Sequence, residues 1–219
     1  MSNVIKANFK TEAFPVVLLL VSFLSGWYFW QNFPAQVPTH WDINGVVNGY
    51  SSPLFAAFFM PILTLGLYLL FLVLPYLDPK KDRYTDFAGA YHGFKNLLVA
   101  FMFIMFILVG VSGLGYLVAI SFWMPILMAI FFIVLGNILS KVKMNWFLGI
   151  RTPWTLSSET VWKKTHELSV PIFSVAGILM AATVLIPSQF QIAIFIVAIA
   201  LIAIGLPLYS YIIYRQEKN

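Results

Sequence analysis

Residues 53–77 read PLFAAFFMPILTLGLYLLFLVLPYL, 25 residues without a charge. At about 1.5 Å of rise per residue, a helix of that length crosses a hydrocarbon core of about 30 Å. So much apolar surface has no place in a soluble fold, and five further uncharged stretches of the kind run over residues 14–30, 96–120, 122–139, 169–187 and 190–214. Composition points the same way, with 61% hydrophobic and only 10% charged residues. The sequence therefore predicts an all-α integral membrane protein, a six-transmembrane-helix bundle. Ser52 ahead of Pro53 predicts the start of the second span, a cap followed by a first helical residue that needs no N–H partner.

Threading the connections alternately to opposite sides gathers every Lys and Arg, from Lys6 to Lys218, on one face. Basic residues are retained in the cytoplasm during insertion, so this face is expected inside, with the N and C termini cytoplasmic. An odd number of spans would destroy that segregation. Of the acidic residues only Asp42 falls outside. Trp27, Trp30, Trp41 and Trp123 fall at outer span ends and Trp146, Trp154 and Trp162 in the inner loop, as an interfacial belt requires. The net charge of +5 is spread over short connections and forms no groove, so no nucleic-acid partner is expected. Lys6 and Lys10 precede the first apolar run as in a signal peptide, but the run is long and has no A-x-A cleavage site, which predicts a retained span.

The spans offer little chemistry. The chain has no cysteine, which excludes disulfides, thiolate zinc sites and cysteine nucleophiles. Gly110-Val111-Ser112-Gly113 has the form of a membrane-embedded nucleophile segment, yet none of His40, His92 and His166 lies mid-span to serve as its base, so close helix packing is the expectation. No ionisable residue of the kind a pump protonates falls within the six predicted spans, which argues against a carboxylate-driven mechanism. Phosphate-loop, zinc-protease and dinucleotide fingerprints are missing, and no enzyme activity, cofactor or metal is expected.

Two connections carry the specific information. In the outer loop, residues 31–52, Pro34 and Pro38 impose extended backbone, and Asn44-Gly45 and Asn48-Gly49 signal turns, so a folded hairpin-like cap is expected. His40 and Asp42 alternate and would share one face of a strand, available to a partner. In the inner loop, residues 140–168, Gly149 permits a tight turn before Arg151, and Ser157 or Ser158 can cap a short amphipathic helix carrying Val161, Trp162, Lys163 and Lys164 in the membrane interface. Arg151 is suited to a phosphate or carboxylate of a lipid or partner.

At these two loops the chain resembles the SdpI family of bacterial membrane immunity proteins. The resemblance rests on Val37-Pro38-Thr39-His40-Trp41 with Gly45 outside, similar to the domain of unknown function that accompanies the family. Inside it rests on Gly136-Asn137 through Asn145, on Gly149-Ile150-Arg151-Thr152-Pro153-Trp154-Thr155, and on Trp162 with Thr165-His166. It implies two units, residues 14–77 with the outer loop and residues 96–214 with the inner one, in a bacterial plasma membrane. It further implies Asn137, Asn145, Gly149, Arg151, Thr152, Pro153, Trp154, Trp162 and His166 as the inner signature. Pro38, His40, Trp41, Asp42 and Gly45 are the outer candidates for contact with a toxin or ligand.

The function this resemblance implies is non-enzymatic: protection of the cell from a secreted membrane-active peptide toxin, with the lipid bilayer as the standing partner. Two other readings stay open at the level of the sequence. One is a signalling protein whose basic inner loop captures a cytosolic regulator; the other is a transporter of a small neutral or lipid-like molecule.

Overall fold

A computed structural model describes residues 5–218. Among the described residues six helices are long and apolar enough to cross a membrane. In chain order the elements are α1 (Phe9–Asn32), the strands β1 (Val37–Trp41) and β2 (Val47–Ser51), α2 (Pro53–Leu77), a 3-10 turn (Lys81–Phe87) leading into α3 (Ala88–Gly113), and α4 (Ile120–Leu139). A five-residue helix α5 (Pro153–Ser157) follows, then α6 (Glu159–Ala182), α7 (Ser188–Ala200) and α8 (Leu206–Lys218). The last two are joined through a π-helical turn, Leu201–Gly205, and together make the sixth span.

Local chemistry explains most of these boundaries. Asn8 caps α1, accepting from the N–H groups of Lys10 and Thr11 at 3.0 and 3.2 Å, while the Thr11 hydroxyl accepts from the Asn8 N–H. Ser52 accepts from the Phe55 N–H at 3.4 Å with Pro53 as first helical residue, the start expected for the second span. Pro207 has no N–H to offer the preceding turn, and the helix widens into its π-helical turn just before it.

Three expectations are corrected. The third span does not cover residues 96–120: the helix begins at Ala88 and ends at Gly113, and the chain turns through Gly115 at φ +90° before α4. Hydropathy cannot register that turn, because Leu114, Tyr116, Leu117 and Val118 around it are as apolar as a helix. No separate amphipathic helix carries Trp162 and the Lys163-Lys164 pair; these are the first turns of α6, capped by Ser158, whose hydroxyl accepts from the Val161 N–H at 3.3 Å. One buried stripe continues from Val161 and Trp162 through Thr165, His166 and Ser169 to Phe173, Ala176 and Met180, so the helix has no reason to break at the membrane surface.

The third correction concerns charge inside the spans. Extending α3 back to Ala88 places Lys95 within it, and α1 starts early enough to include Glu12. The Lys95 ammonium donates to both Glu12 carboxylate oxygens at 2.5 Å, with side chains 1% and 12% exposed. Tyr68 of α2 donates its hydroxyl to the same carboxylate at 2.9 Å, and the ammonium lies 5.5 Å from the Tyr68 ring centroid. The helices α1 and α3 therefore do hold an acid and a base beside their apolar runs, and these two are paired.

The chain divides into two compact units. One comprises residues 7–71 and 95–127 and contains the Glu12–Lys95–Tyr68 cluster and the hairpin. Its core is Phe29, Ala57 and Phe106, with Phe33, Phe58 and Ile107 packed against them. Gly110 faces the Phe29 ring so closely that a Cβ would overlap it, and a Cβ on Gly113 would stand 2.7 Å from both Phe33 and Val37. The Gly-x-Ser-Gly segment is thus a close-packing surface, as expected. The other unit comprises residues 72–94 and 128–218 with residues 5 and 6, and contains the inner loop. Large apolar side chains such as Leu20, Leu24, Ile62, Leu70, Ile130 and Ile178 are exposed along the spans, the surface a bilayer would cover.

Candidate functional site

The outer loop is a two-stranded antiparallel hairpin. Asn44-Gly45 forms its tip: Asp42 accepts from the N–H groups of Asn44 and Val46, both at 2.9 Å, and Gly45 takes φ +77°. Asp42 thus lies beyond β1, spent on the turn, and the strand face it was expected to share with His40 does not form. Asn48-Gly49 is not a turn either. Gly49 lies in β2 opposite His40, where a Cβ would come within 2.9 Å of the His40 Cβ.

The strands are pinned at one end and open at the other face. Val37 is fully buried and Trp41 half-buried, whereas His40, Asn48 and Tyr50 are exposed. Tyr50 pairs with Pro38, and the His40 ring bonds the Asn48 amide at 2.5 Å. Of the outer candidates, His40 is exposed, Pro38, Trp41 and Asp42 are half-buried, and Gly45 fits against Ser121. Asn48 and Tyr50 complete the face. The alternation Val47 to Ser51 is the signal that marks them, once Asn48-Gly49 is read as strand and not as turn. Ala35, Gln36, Tyr50, Ser51 and Ser52 line a cavity of about 280 Å³ at the foot of the hairpin.

The inner loop is built around Asn145, which is fully buried. Its side-chain oxygen accepts from the N–H groups of Phe147 and Leu148 at 2.8 and 2.7 Å, and its amide donates to the carbonyls of Lys143 and Leu148 at 2.9 and 2.8 Å. Asp78, at the end of α2, is 2% exposed and accepts from the Tyr84 hydroxyl and the Trp146 N–H, both at 2.8 Å, and from the Lys80 N–H at 2.7 Å. The signature motif does not include Asp78 or Tyr84. An acid placed directly at the end of an uncharged span is the signal that could have found Asp78, and Tyr84 carries no such signal.

Two residues of α6 close the loop from below. Trp162 donates its indole N–H to the Val142 carbonyl at 2.8 Å and stacks on His166 with ring centroids 4.1 Å apart. His166 lies between two backbone groups. The Ile150 N–H can only donate, at 2.9 Å to Nε2, and the Trp162 carbonyl can only accept, at 2.8 Å from Nδ1. One neutral tautomer satisfies both, with the proton on Nδ1. Gly149 passes over this pair at φ +128°, where a Cβ would stand 2.5 Å from His166 Nε2 and 3.0 Å from the Trp162 ring.

Thr152 and Thr155 form a reciprocal cap at the start of α5, where Pro153 occupies the first turn. The Thr152 hydroxyl also meets the Ser210 hydroxyl of α8 at 3.0 Å. Thr152→Ala should cost about 1–2 kcal/mol, read as a lower unfolding midpoint in detergent, because the cap and the contact with α8 go together. Asn137 stands apart from the network: it is exposed on α4 and bonds its own helix at the Ile133 carbonyl. Arg151 is exposed, its guanidinium donating to the Trp146 carbonyl, and Trp154 is half-buried with its ring 5.0 Å from Tyr211.

The inner signature thus separates by environment. Asn145, Gly149, Thr152, Trp162 and His166 make the contacts that shape the loop, and Arg151, Pro153 and Trp154 present surface. Among the described residues no group of three His, Cys, Asp or Glu side chains is placed to hold a metal ion.

Residues 141–210 match the SdpI/YfhL protein family, and residues 17–65 match a domain of unknown function, DUF1648. The chain is similar to the protein named Immunity protein SdpI of Bacillus subtilis (strain 168), with 28% identity over 207 residues, covering 94% of this chain and 97% of that relative. No solved structure matches.

Proposed function

We propose, from the premise that this chain belongs to the SdpI/YfhL protein family, that it is a non-enzymatic membrane immunity protein protecting its cell from a secreted membrane-active peptide toxin. The observation that carries this reading is the similarity to Immunity protein SdpI across 94% of the chain, hairpin and inner loop included. The proposed setting is a bacterial plasma membrane with the basic connections and both termini in the cytoplasm, which turns the hairpin outward.

A secreted peptide then meets the hairpin first. The hairpin offers His40, Asn48 and Tyr50, exposed polar and aromatic groups on paired strands, with the half-buried Pro38 opposite Tyr50. Val46, 60% exposed at the tip, adds apolar area. An amphipathic peptide can bury its apolar side there before entering the bilayer. The inner loop serves this reading as a folded anchor, and no catalytic step is required of it.

The test is survival. Expression in a cell sensitive to such a peptide should raise the toxin concentration needed to kill, and killing curves that coincide with those of empty cells would overturn the reading. Combining His40→Ala with Tyr50→Ala should reduce protection about tenfold while membrane abundance, followed by immunoblot, stays within about twofold. Both side chains are exposed, so their loss removes contact without removing core.

A further inference from the structure

Arg151 and Trp154 belong to the inner signature and both keep side-chain surface open, Arg151 exposed while one nitrogen donates to the Trp146 carbonyl and Trp154 half-buried against Tyr211. Both lie beside α8. Trp154 joins Ala203, Ile204, Pro207, Leu208 and Tyr211 in lining a groove of about 400 Å³ whose walls are almost wholly apolar. The groove runs alongside the π-helical turn at Leu201–Gly205, where the small Ala203 forms part of its wall. Along α8 the residues Pro207, Tyr211 and Arg215 follow one another at intervals of four and so share a face, and the Arg215 guanidinium reaches the Tyr211 hydroxyl at 3.4 Å. The acid nearest in sequence, Glu217, is rotated about 200° around the helix from Arg215.

The dimensions fit one leaflet. Ala203 and Arg215 are about 18 Å apart along the helix at about 1.5 Å per residue, close to half of a hydrocarbon core of about 30 Å plus the headgroup boundary. The apolar end of the groove therefore lies near the membrane midplane and the cation near the phosphates. Arg151 adds a second exposed guanidinium near the same helix, since the adjacent Thr152 is bonded to Ser210, and only one of its nitrogens is committed to the Trp146 carbonyl. We infer that the groove between α5 and α8 is a binding site for one anionic phospholipid, an acyl chain lying against Ala203, Pro207 and Leu208 and the phosphate meeting Arg215 and Arg151. Two exposed guanidinium groups beside the groove favour an anionic lipid over a zwitterionic one. The site does not depend on the immunity reading.

The full chain would be reconstituted in vesicles of equal phosphatidylglycerol and phosphatidylcholine, extracted in mild detergent, and the retained lipid counted by native mass spectrometry. One phosphatidylglycerol per chain is expected, with little phosphatidylcholine. Arg215→Gln, at an exposed helix end, should lower the preference about fivefold. Ala203→Trp, which fills the groove, should abolish retention, and the exposed Lys163→Gln on α6 should change nothing. Equal retention of the two lipids, or wild-type retention in both Arg215→Gln and Ala203→Trp, would overturn the site. Because Arg215→Gln touches only an exposed helix-end contact with Tyr211, a folding defect in the tryptophan variant does not hide the answer.

Discussion

Lys95→Met is expected to leave almost no folded protein in the membrane fraction, and Glu12→Gln added to it is expected to bring most of that protein back. The single substitution removes the cation that neutralises a largely buried carboxylate, one that receives the Lys95 ammonium through both oxygens at 2.5 Å. Breaking a buried pair by deleting one member costs about 3–5 kcal/mol, whereas replacing both members by neutral groups of similar volume is often close to neutral. In the double variant the Tyr68 hydroxyl keeps an acceptor, because the amide oxygen introduced at position 12 stands where the Glu12 oxygen lies 2.9 Å away. The measurement is membrane yield together with the unfolding midpoint in detergent for wild type, each single variant and the pair. If Lys95→Met alone behaves as wild type, the pair does not hold α1, α2 and α3 as described. If the double variant is as damaged as the single, the role of the two residues exceeds pairing.

Gly149→Ala should be the most damaging single change in the inner loop, with a loss of about 3 kcal/mol or more from two penalties that combine. A φ of +128° lies in a region that side-chain-bearing residues rarely enter, which costs about 1–3 kcal/mol. The added methyl would also stand 2.5 Å from His166 Nε2, so the ring must move away from the Ile150 N–H that it accepts at 2.9 Å. Displacing the ring unstacks it from Trp162 and leaves a partly buried backbone donor unpaired, about 1 kcal/mol or more in addition. The prediction is checked by limited proteolysis within residues 140–158, where cleavage should accelerate in Gly149→Ala and stay slow in Lys143→Ala, a change at an exposed side chain. Equal cleavage of the two variants would show that the loop does not depend on the glycine. The two largest effects thus fall in different units, one holding helices together within the spans and one shaping a loop.

The inner loop shows how far the motif can be read. That Asn145, Gly149, Trp162 and His166 act together is legible as a signature, but their work as hydrogen-bond and stacking partners is not. The partners are backbone groups of Val142, Lys143, Phe147, Leu148 and Ile150, and any sequence supplies backbone groups. The hairpin behaves the same way. Its existence follows from prolines and glycines, while the register follows from which Asn-Gly pair turns, and both pairs carry the same local preference.

What the sequence by itself determined is the set of six spans and the two loops that carry specific information. Those depend on local quantities, apolar length against bilayer thickness and the backbone preferences of Pro and Gly, which each stretch carries with it. Only the tertiary structure decided that Glu12 and Lys95, 83 positions apart, neutralise one another inside the bundle, and that α3 begins at Ala88 early enough for them to meet. It also decided that Trp162 belongs to a spanning helix and not to a surface one, and that Arg151 and Trp154 border a groove on α8. Each of these depends on which side chains become neighbours. A charge excluded from hydrocarbon when alone becomes admissible when a partner from another helix reaches it, and no property of Lys95 or Glu12 taken separately announces that.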